Sequence, residues 1–299
     1  MSTQLPKISI VTASYNQGRF IEETIQSVLN QNYPNLEYIV IDGGSTDNSV
    51  EIIKKYQQHF TYWVSEKDKG QANAINKGLQ MCTGEFFNWL NSDDYLEPGA
   101  LHKIAAAFAN EQVHMVAGKV QNFSTTEEEI IPNQNLSAKG LMCWEPGVKF
   151  VQPGVWMRRE LIEKCGGIDE QFHYAFDWDL YIRYLYCFPN VKELDELLLH
   201  FRLHENSKTQ SLRDRFTIEE QKIIEKMYAL EGFPLLKDKC LYKIQKTKWT
   251  AFLSELSQSR MPLLKKYLSV LKAMPGYSKV SYSRQTAGAL KAFLTGKSI

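Results

Sequence analysis

A chain of 299 residues, 43% of them hydrophobic, carries enough apolar mass for one large core or two modest ones, and its composition argues against intrinsic disorder. The formal charge of +1 conceals a split: from Leu241 onward eleven Lys or Arg stand against the single acid Glu255, so a basic C-terminal segment follows a net acidic body. The five cysteines (Cys82, Cys143, Cys165, Cys187 and Cys240) are odd in number and never form a CxxC pair, and no charged leader or long apolar run occurs, so neither a disulfide framework, a zinc ribbon, secretion nor a membrane span is expected. A reducing, cytoplasmic setting fits this pattern.

In chain order, Ile8–Ala13 is apolar and β-branched, Arg19–Gln31 carries apolar residues at helical spacing, and Glu37–Ile41 is again a strand. Ser45 and Asp47 announce a helix whose apolar face lies in Val50–Gln58. Tyr62–Ser65 is a third strand, Gln71–Met81 a third helix, Glu85–Leu90 a fourth strand, and Pro98–Ala109 a helix begun by proline. This alternation predicts βαβ units in an α/β fold, with a mostly parallel central sheet and helices on both faces. After Val113–Phe123 the polar stretch "STTEEEIIPNQN" reads as a surface loop or a sheet-edge excursion. Phe150–Met157 reads as a strand entering a turn, Arg159–Cys165 as a short helix closed by Gly166 and Gly167, and Trp178–Tyr186 as a helix. From Ser211 the pattern is helical, broken at Gly232–Pro234, Pro262 and Pro275–Gly276. The expected organisation is a body over 1–232, in halves 1–110 and 111–232, and a basic helical extension over 233–299.

The first four strands end in "TASYNQG", "IDGGSTDNS", "SEKDKGQA" and "NSDD". Ligands in open α/β sheets bind outside the carboxyl ends of the strands, so Asp42, Asp68, Asp93 and Asp94 are expected on one rim. Four neighbouring carboxylates repel, and a divalent cation with oxygen ligands, Mg2+ or Mn2+, relieves this. Singly, Asp42 before Gly-Gly is also a turn former, and Asp93–Asp94 also a helix cap.

The stretches "ISIVTASYNQGRFIEETIQSVLNQNYPNLEYIVIDGGSTDNS", "KGQANAINKGL" and "LNSDDYLEPGAL" resemble the nucleotide-sugar-binding half of the family 2 inverting glycosyltransferases, whose fold is called GT-A. The likeness covers roughly Lys7 to Thr209 and makes 1–110 the nucleotide-sugar half and 111–232 the acceptor half. It implies a nucleoside diphosphate sugar, of UDP or dTDP type, across the strand ends. Asp42 then accepts the base's ring N–H with Asp68 nearby, and Thr12, Ser14, Tyr15, Gly70 and Asn73 line the donor. Asn91, Ser92 and Asp93 occupy the DxD position, with Asp93 on the metal. Asn91 in place of the first Asp removes one charge. No Walker loop or GxGxxG occurs, so metal and side chains must hold the phosphates.

In "HYAFDWDLYIRY" the acids Asp177 and Asp179 begin a helix, where they also satisfy its dipole. The resemblance implies a catalytic base here, with Phe176 replacing the usual Glu, so Asp177 aligns with the base and Asp179 is the reserve. In "HFRLHENSKT", His200 and His204 read as strand residues in ordinary sheet packing. The resemblance instead puts His204 and Ser207 near the diphosphate or metal, with Arg202 and Lys208 as diphosphate contacts. Gln152 and Trp156 fall on the acceptor side, where Trp156 stacks on a sugar or fills the core.

The resemblance implies one displacement by an acceptor hydroxyl that inverts the anomeric centre, without a covalent intermediate. The acceptor is then a saccharide or a lipid-linked saccharide in cell-surface polysaccharide synthesis. A nucleotidyltransferase making activated sugars, or a non-catalytic nucleotide-sugar-binding module, are the competing readings. The basic tail, with leucines among its lysines, is either a helical face packed on the body or a peripheral contact with the inner face of an anionic membrane. Nucleic acid is not an expected partner.

Overall fold

The computed structural model describes residues 5–205, 213–230 and 233–295. The chain divides into two compact units, Met1–Phe216 and Thr217–Ile299. That division precedes the boundary expected near Gly232, which lies outside the described residues.

In the first unit, β1 (Ile8–Ser14), α1 (Ile21–Leu29), β2 (Leu36–Asp42), α2 (Ser49–Tyr56), β3 (Tyr62–Ser65), α3 (Gln71–Met81) and β4 (Phe86–Trp89) follow the expected alternation. Next come β5 (Tyr95–Leu96), α4 (Ala100–Ala107), β6 (Met115–Phe123), β7 (Glu128–Ile131), α5 (Ala138–Cys143), β8 (Val155–Arg158), α6 (Arg159–Lys164), α7 (Phe176–Cys187) and β9 (Val191–Arg202). The sheet order is β3-β2-β1-β4-β8-β6-β9-β5, with β7 on β6. The four strands β3, β2, β1 and β4 are parallel. Beyond β4 the sheet is mixed: β8 runs antiparallel to both β4 and β6, whereas β6 and β9 are parallel. Parallel neighbours need crossover helices, and after α4 the chain joins β6, β7 and β8 without a full crossover, so direction alternates there.

Side-chain alternation puts Ile8, Ile10, Val40 and Phe86 in one apolar layer with Ile21, Ile25 and Val28 of α1 and Ile104 of α4. On the other face α3 comes so close to β1 that a Cβ on Gly78 would lie 2.5 Å from a Val11 methyl. Helices thus cover both faces. The stretch expected as a loop or edge excursion contains β7, an exposed antiparallel edge strand. Two elements were not expected. β5 is two residues long, and α5 is a six-residue helix whose Ser137 hydroxyl accepts a hydrogen bond from Gly140 N at 3.0 Å.

The second unit contains most of α8 (Arg213–Ala229), then α9 (Pro234–Gln258), α10 (Leu263–Ala273) and α11 (Arg284–Thr295). Its core joins Trp249, Leu253, Leu256, Val270, Val280, Ala289 and Phe293. Among the described residues no helix is long and apolar enough to cross a membrane.

Candidate active site

The carboxyl ends of the first three strands lie level: Ser14 is the register partner of Asp42, and Asp42 of Ser65. Two loops leaving this rim fix each other. Asn16 N donates to Ser45 Oγ at 2.8 Å, Thr46 N to Asn16 Oδ1 at 2.8 Å, Gln17 N to Ser49 Oγ at 2.9 Å and Gly18 N to Asp47 Oδ2 at 2.9 Å. Gly18 lies close under the Asn48 side chain: a Cβ there would come 1.8 Å from Asn48 Oδ1 and would displace that amide. The motifs "SYNQG" and "GGSTDNS" are therefore halves of one loop-locking network.

Asp42 holds its own loop. Its carboxylate is fully buried and accepts from Gly44 N (3.1 Å), Ser45 N (2.9 Å), Ser65 Oγ (2.7 Å) and the Ser45 hydroxyl. Three of these donors fall on Oδ2 and one, the Ser45 hydroxyl, on Oδ1. Asp42 therefore organises its own turn, with Oδ1 the less occupied of its two oxygens. Asp68 lies beside it: a Cβ on Gly43 would sit 2.7 Å from Asp68 Oδ2, so the glycine makes room for this carboxylate. Asp68 Oδ1 accepts from Gly70 N at 2.8 Å, with Gly70 at φ +115°, in the left-handed half of φ space.

At the end of β4 the acids also divide. Asp94 is fully buried, accepting from Arg202 N and Asn91 Nδ2, each at 2.9 Å. Burial, and then the charge of Asp93 beside it, raise its pKa well above the usual carboxylate range. Asp93 is half-buried, and its Oδ2 meets His204 Nε2 at 2.9 Å. The expected crowding of four carboxylates is thus mostly relieved without a cation, because Asp42 and Asp94 turn inward onto protein donors. Asp68 and Asp93 are the two that remain partly exposed.

Other expected site residues make contacts within the protein. Thr12 is fully buried against the Tyr38 hydroxyl at 3.1 Å and does not reach the rim. Asn73 holds Glu170 Oε2 at 2.9 Å, which ties α3 to the loop after α6. Asn91 accepts from Gln71 Nε2 at 2.8 Å while donating to Asp94, and so bridges α3 to the acidic turn. Arg202 pairs with Glu23, donates to Asp93 O at 3.0 Å and lies over the Phe20 and Phe123 rings; an already neutralised, stacked guanidinium is not a free phosphate contact. His200 bonds Glu97 at 2.6 Å and stacks on Tyr95, as ordinary sheet packing requires. Ser207 and Lys208 lie outside the described residues.

Ser14 and Ser92 are buried at the rim, and Ser14 Oγ has no protein partner. Tyr15 is 60% exposed there. A cavity of about 130 Å³ opens beside His204, lined by Asn16, Gln17, Arg19, Phe20 and Glu205. A larger one, about 230 Å³, belongs to the second unit, lies between Tyr242, Lys246 and Tyr282, and contains none of the rim acids.

On α7, Asp179 is fully buried in an ion pair with Arg183, which also donates to Gly167 O at 2.8 Å. That pair pins the glycine turn, where Gly166 and Gly167 have positive φ, and removes Asp179 as a reserve base. Asp177, two residues earlier, is half-buried, and Phe176 before it packs on Trp89 of β4 with ring centroids 6.0 Å apart. Gln152 is buried and donates to Asn88 Oδ1 and Trp89 O, both at 3.2 Å. Trp156 is 1% exposed within the core, so it fills the interior and offers no sugar platform. The exposed aromatic near α7 is Trp144, which sequence reasoning missed. It is 47% exposed, at φ +47°, and stacked on Trp178 at 6.2 Å and 7°. Its signal in the sequence was an aromatic residue immediately before Glu145-Pro146-Gly147, a turn.

Among the described residues no three His, Cys, Asp or Glu side chains gather as a metal cage. The Asp93–His204 pair offers one hard oxygen and one imidazole nitrogen, a donor set compatible with a divalent ion that takes its remaining ligands from a substrate.

A parallel half-sheet with a level, loop-locked rim and a mixed second half defines the GT-A glycosyltransferase fold. S. aureus TarS 1–349 in complex with UDP-GlcNAc has it too: the two superpose with a TM-score of 0.65 at 15% identity, over 97% of this chain and 92% of that one. Residues 9–166 match the model for Glycosyl transferase family 2, and the chain belongs to that family. An uncharacterized glycosyltransferase of Nostoc sp. is 28% identical over 232 residues, 72% of this chain and 70% of its own length. Chondroitin synthase of Escherichia coli is 25% identical over 226 residues, 70% of this chain and 31% of its own. The chain spans 51% of the full TarS chain.

Proposed function

We propose that the protein transfers one sugar from a nucleoside diphosphate sugar, of UDP or dTDP type, to a hydroxyl of a saccharide or lipid-linked acceptor, with inversion, in cell-surface polysaccharide synthesis. The observation that carries this reading is the Asp93–His204 contact of 2.9 Å at the strand-end rim. Its relatives support it: one structural neighbour was solved with UDP-GlcNAc, and one relative is a chondroitin synthase.

On this reading the base's N–H is received by Asp68, which stays partly exposed at the rim where Asp42 is fully buried in its own turn. Tyr15 is the exposed aromatic available to stack on the base. Asp93 and His204 would hold Mg2+ or Mn2+, and when bound this ion supplies Lewis-acid stabilisation of the leaving diphosphate. Asp177 takes the proton from the acceptor hydroxyl as that oxygen attacks the anomeric carbon from the face opposite the diphosphate. The C–O bond to the diphosphate breaks as the new one forms, which inverts the centre. Trp144 replaces Trp156 as the acceptor-side platform, its exposed ring held to α7 by the stack on Trp178.

Nucleotide sugars are first screened for a rise in melting temperature, since a ligand bound only by the folded state stabilises it. With the donor so found, Asp177→Asn is expected to keep the thermal shift and to lose turnover roughly 100- to 10,000-fold. Unchanged turnover removes Asp177 from the role.

A further inference from the structure

The described residues expose seventeen large hydrophobic side chains, and five of these fall between Met261 and Leu271. In α10 the inner face is committed. Val270 is fully buried with Tyr267 and Ala273 packed against the same core, and Lys266 is turned inward to donate to Ser257 O at 2.8 Å. The outer face carries Leu264, Leu268 and Leu271 at i, i+4 and i+7, which are 65%, 54% and 41% exposed, continued by Leu263 at 45%. Helical spacing makes these one ridge. Exposed Lys265 and Lys272 flank it, and no Asp or Glu occurs anywhere after Glu255. Among such residues, leucines bordered only by cations match one surface chemistry closely, an apolar layer beneath anionic headgroups.

We propose that α10 is a peripheral docking helix for an anionic lipid bilayer. Leu264, Leu268 and Leu271 enter the boundary between headgroups and acyl chains, and Lys265 and Lys272 meet lipid phosphates. The charge pattern selects the occupant: an acidic surface complements a segment without acids, whereas a second copy of the same ridge would set lysines against lysines. The inference is independent of the donor site.

The full chain is sedimented with phosphatidylcholine vesicles containing or lacking phosphatidylglycerol. Co-sedimentation is expected only with phosphatidylglycerol, and it falls as the Debye length shrinks toward about 3 Å at 1 M salt. A Leu264→Ser/Leu268→Ser double variant is expected to bind at least roughly tenfold more weakly, while an Ile130→Ser control in the first unit binds like the parent. The substituted leucines are exposed, so folding is kept, which circular dichroism and an unchanged donor-dependent thermal shift verify. Equal binding by the double variant, binding without phosphatidylglycerol, or no binding overturns the proposal. So does a dimer on size-exclusion chromatography that the double variant converts to monomer, because a second copy then covers the ridge.

Discussion

Individual side chains of this protein divide into those that build the rim and those left to face a ligand. Glu37 is of the first kind. Burial alone would raise its pKa, but hydrogen bonds from Ser9, from Thr83 N and Oγ1 (each 2.7 Å) and from Gly84 N outweigh this and hold it below the ordinary 4.5. A carboxylate with a depressed folded-state pKa stabilises the fold above its unfolded pKa, and that contribution is lost as pH falls through the folded value. Glu37→Gln is therefore expected to lose about 1.5–3 kcal/mol at pH 7. Denaturation series at several pH values should show the gap to the parent closing below about 4.5. The Arg183–Asp179 pair makes a sharper case. Removing Arg183 strands a fully buried carboxylate, so Arg183→Ala should cost about 3–5 kcal/mol in urea unfolding. A loss below 1 kcal/mol would mean that the Arg183–Asp179 pair does not hold the glycine turn. At the surface, Trp144→Ala should raise the acceptor KM while the donor KM stays put, and Trp144→Phe should restore most of it. A parallel rise in both constants would assign Trp144 to the fold.

At the scale of elements, the loop after β2 is the part whose disruption would spread furthest. Asp42 caps its own turn, and Ser45 passes the constraint to Asn16 in the loop after β1. Asp42→Ala leaves Gly44 N, Ser45 N and Ser65 Oγ without their acceptor, each at about 1–3 kcal/mol if no water replaces it. The expected outcome is a melting temperature lower by several degrees, together with weaker donor binding; a variant that melts like the parent while losing donor affinity would return Asp42 to direct ligand contact. α7 is the second such element. It joins the sheet through the Trp89–Phe176 packing and meets the glycine turn through Arg183, which together fix the start of the helix that carries Asp177.

Across the whole molecule, the two compact units divide the work: every rim residue lies in Met1–Phe216, and the basic helices lie in Thr217–Ile299. A donor at about 100 times its Kd adds about 2.7 kcal/mol to the state that binds it. Hydrogen exchange should accordingly slow in 14–18, 42–49 and 66–73. Amides of the second unit's core, Trp249 and Val270 among them, are expected to exchange at an unchanged rate. Slowing in both units alike would show that they respond as one.

By itself the sequence determined the strands β1 to β4 and the helices between them, because their apolar periods of two and of 3.6 are set by local chain geometry and belong to contiguous residues. It also placed the acids correctly at the strand ends, since an apolar run that stops at Asp must leave the sheet there. Tertiary structure alone decided which acids face outward. Asp42 and Asp94 read like Asp68 and Asp93 along the chain, but donors from Ser65 and Arg202, distant in sequence, draw the first pair inside. The same holds for Trp156 and Trp144: burial depends on what packs over a side chain, and no local pattern encodes that the first joins the central core while the second stays exposed. Element direction beyond β4 followed the same logic, since strand pairing is a property of the folded sheet and the length of the connections, read only once both partners are in place.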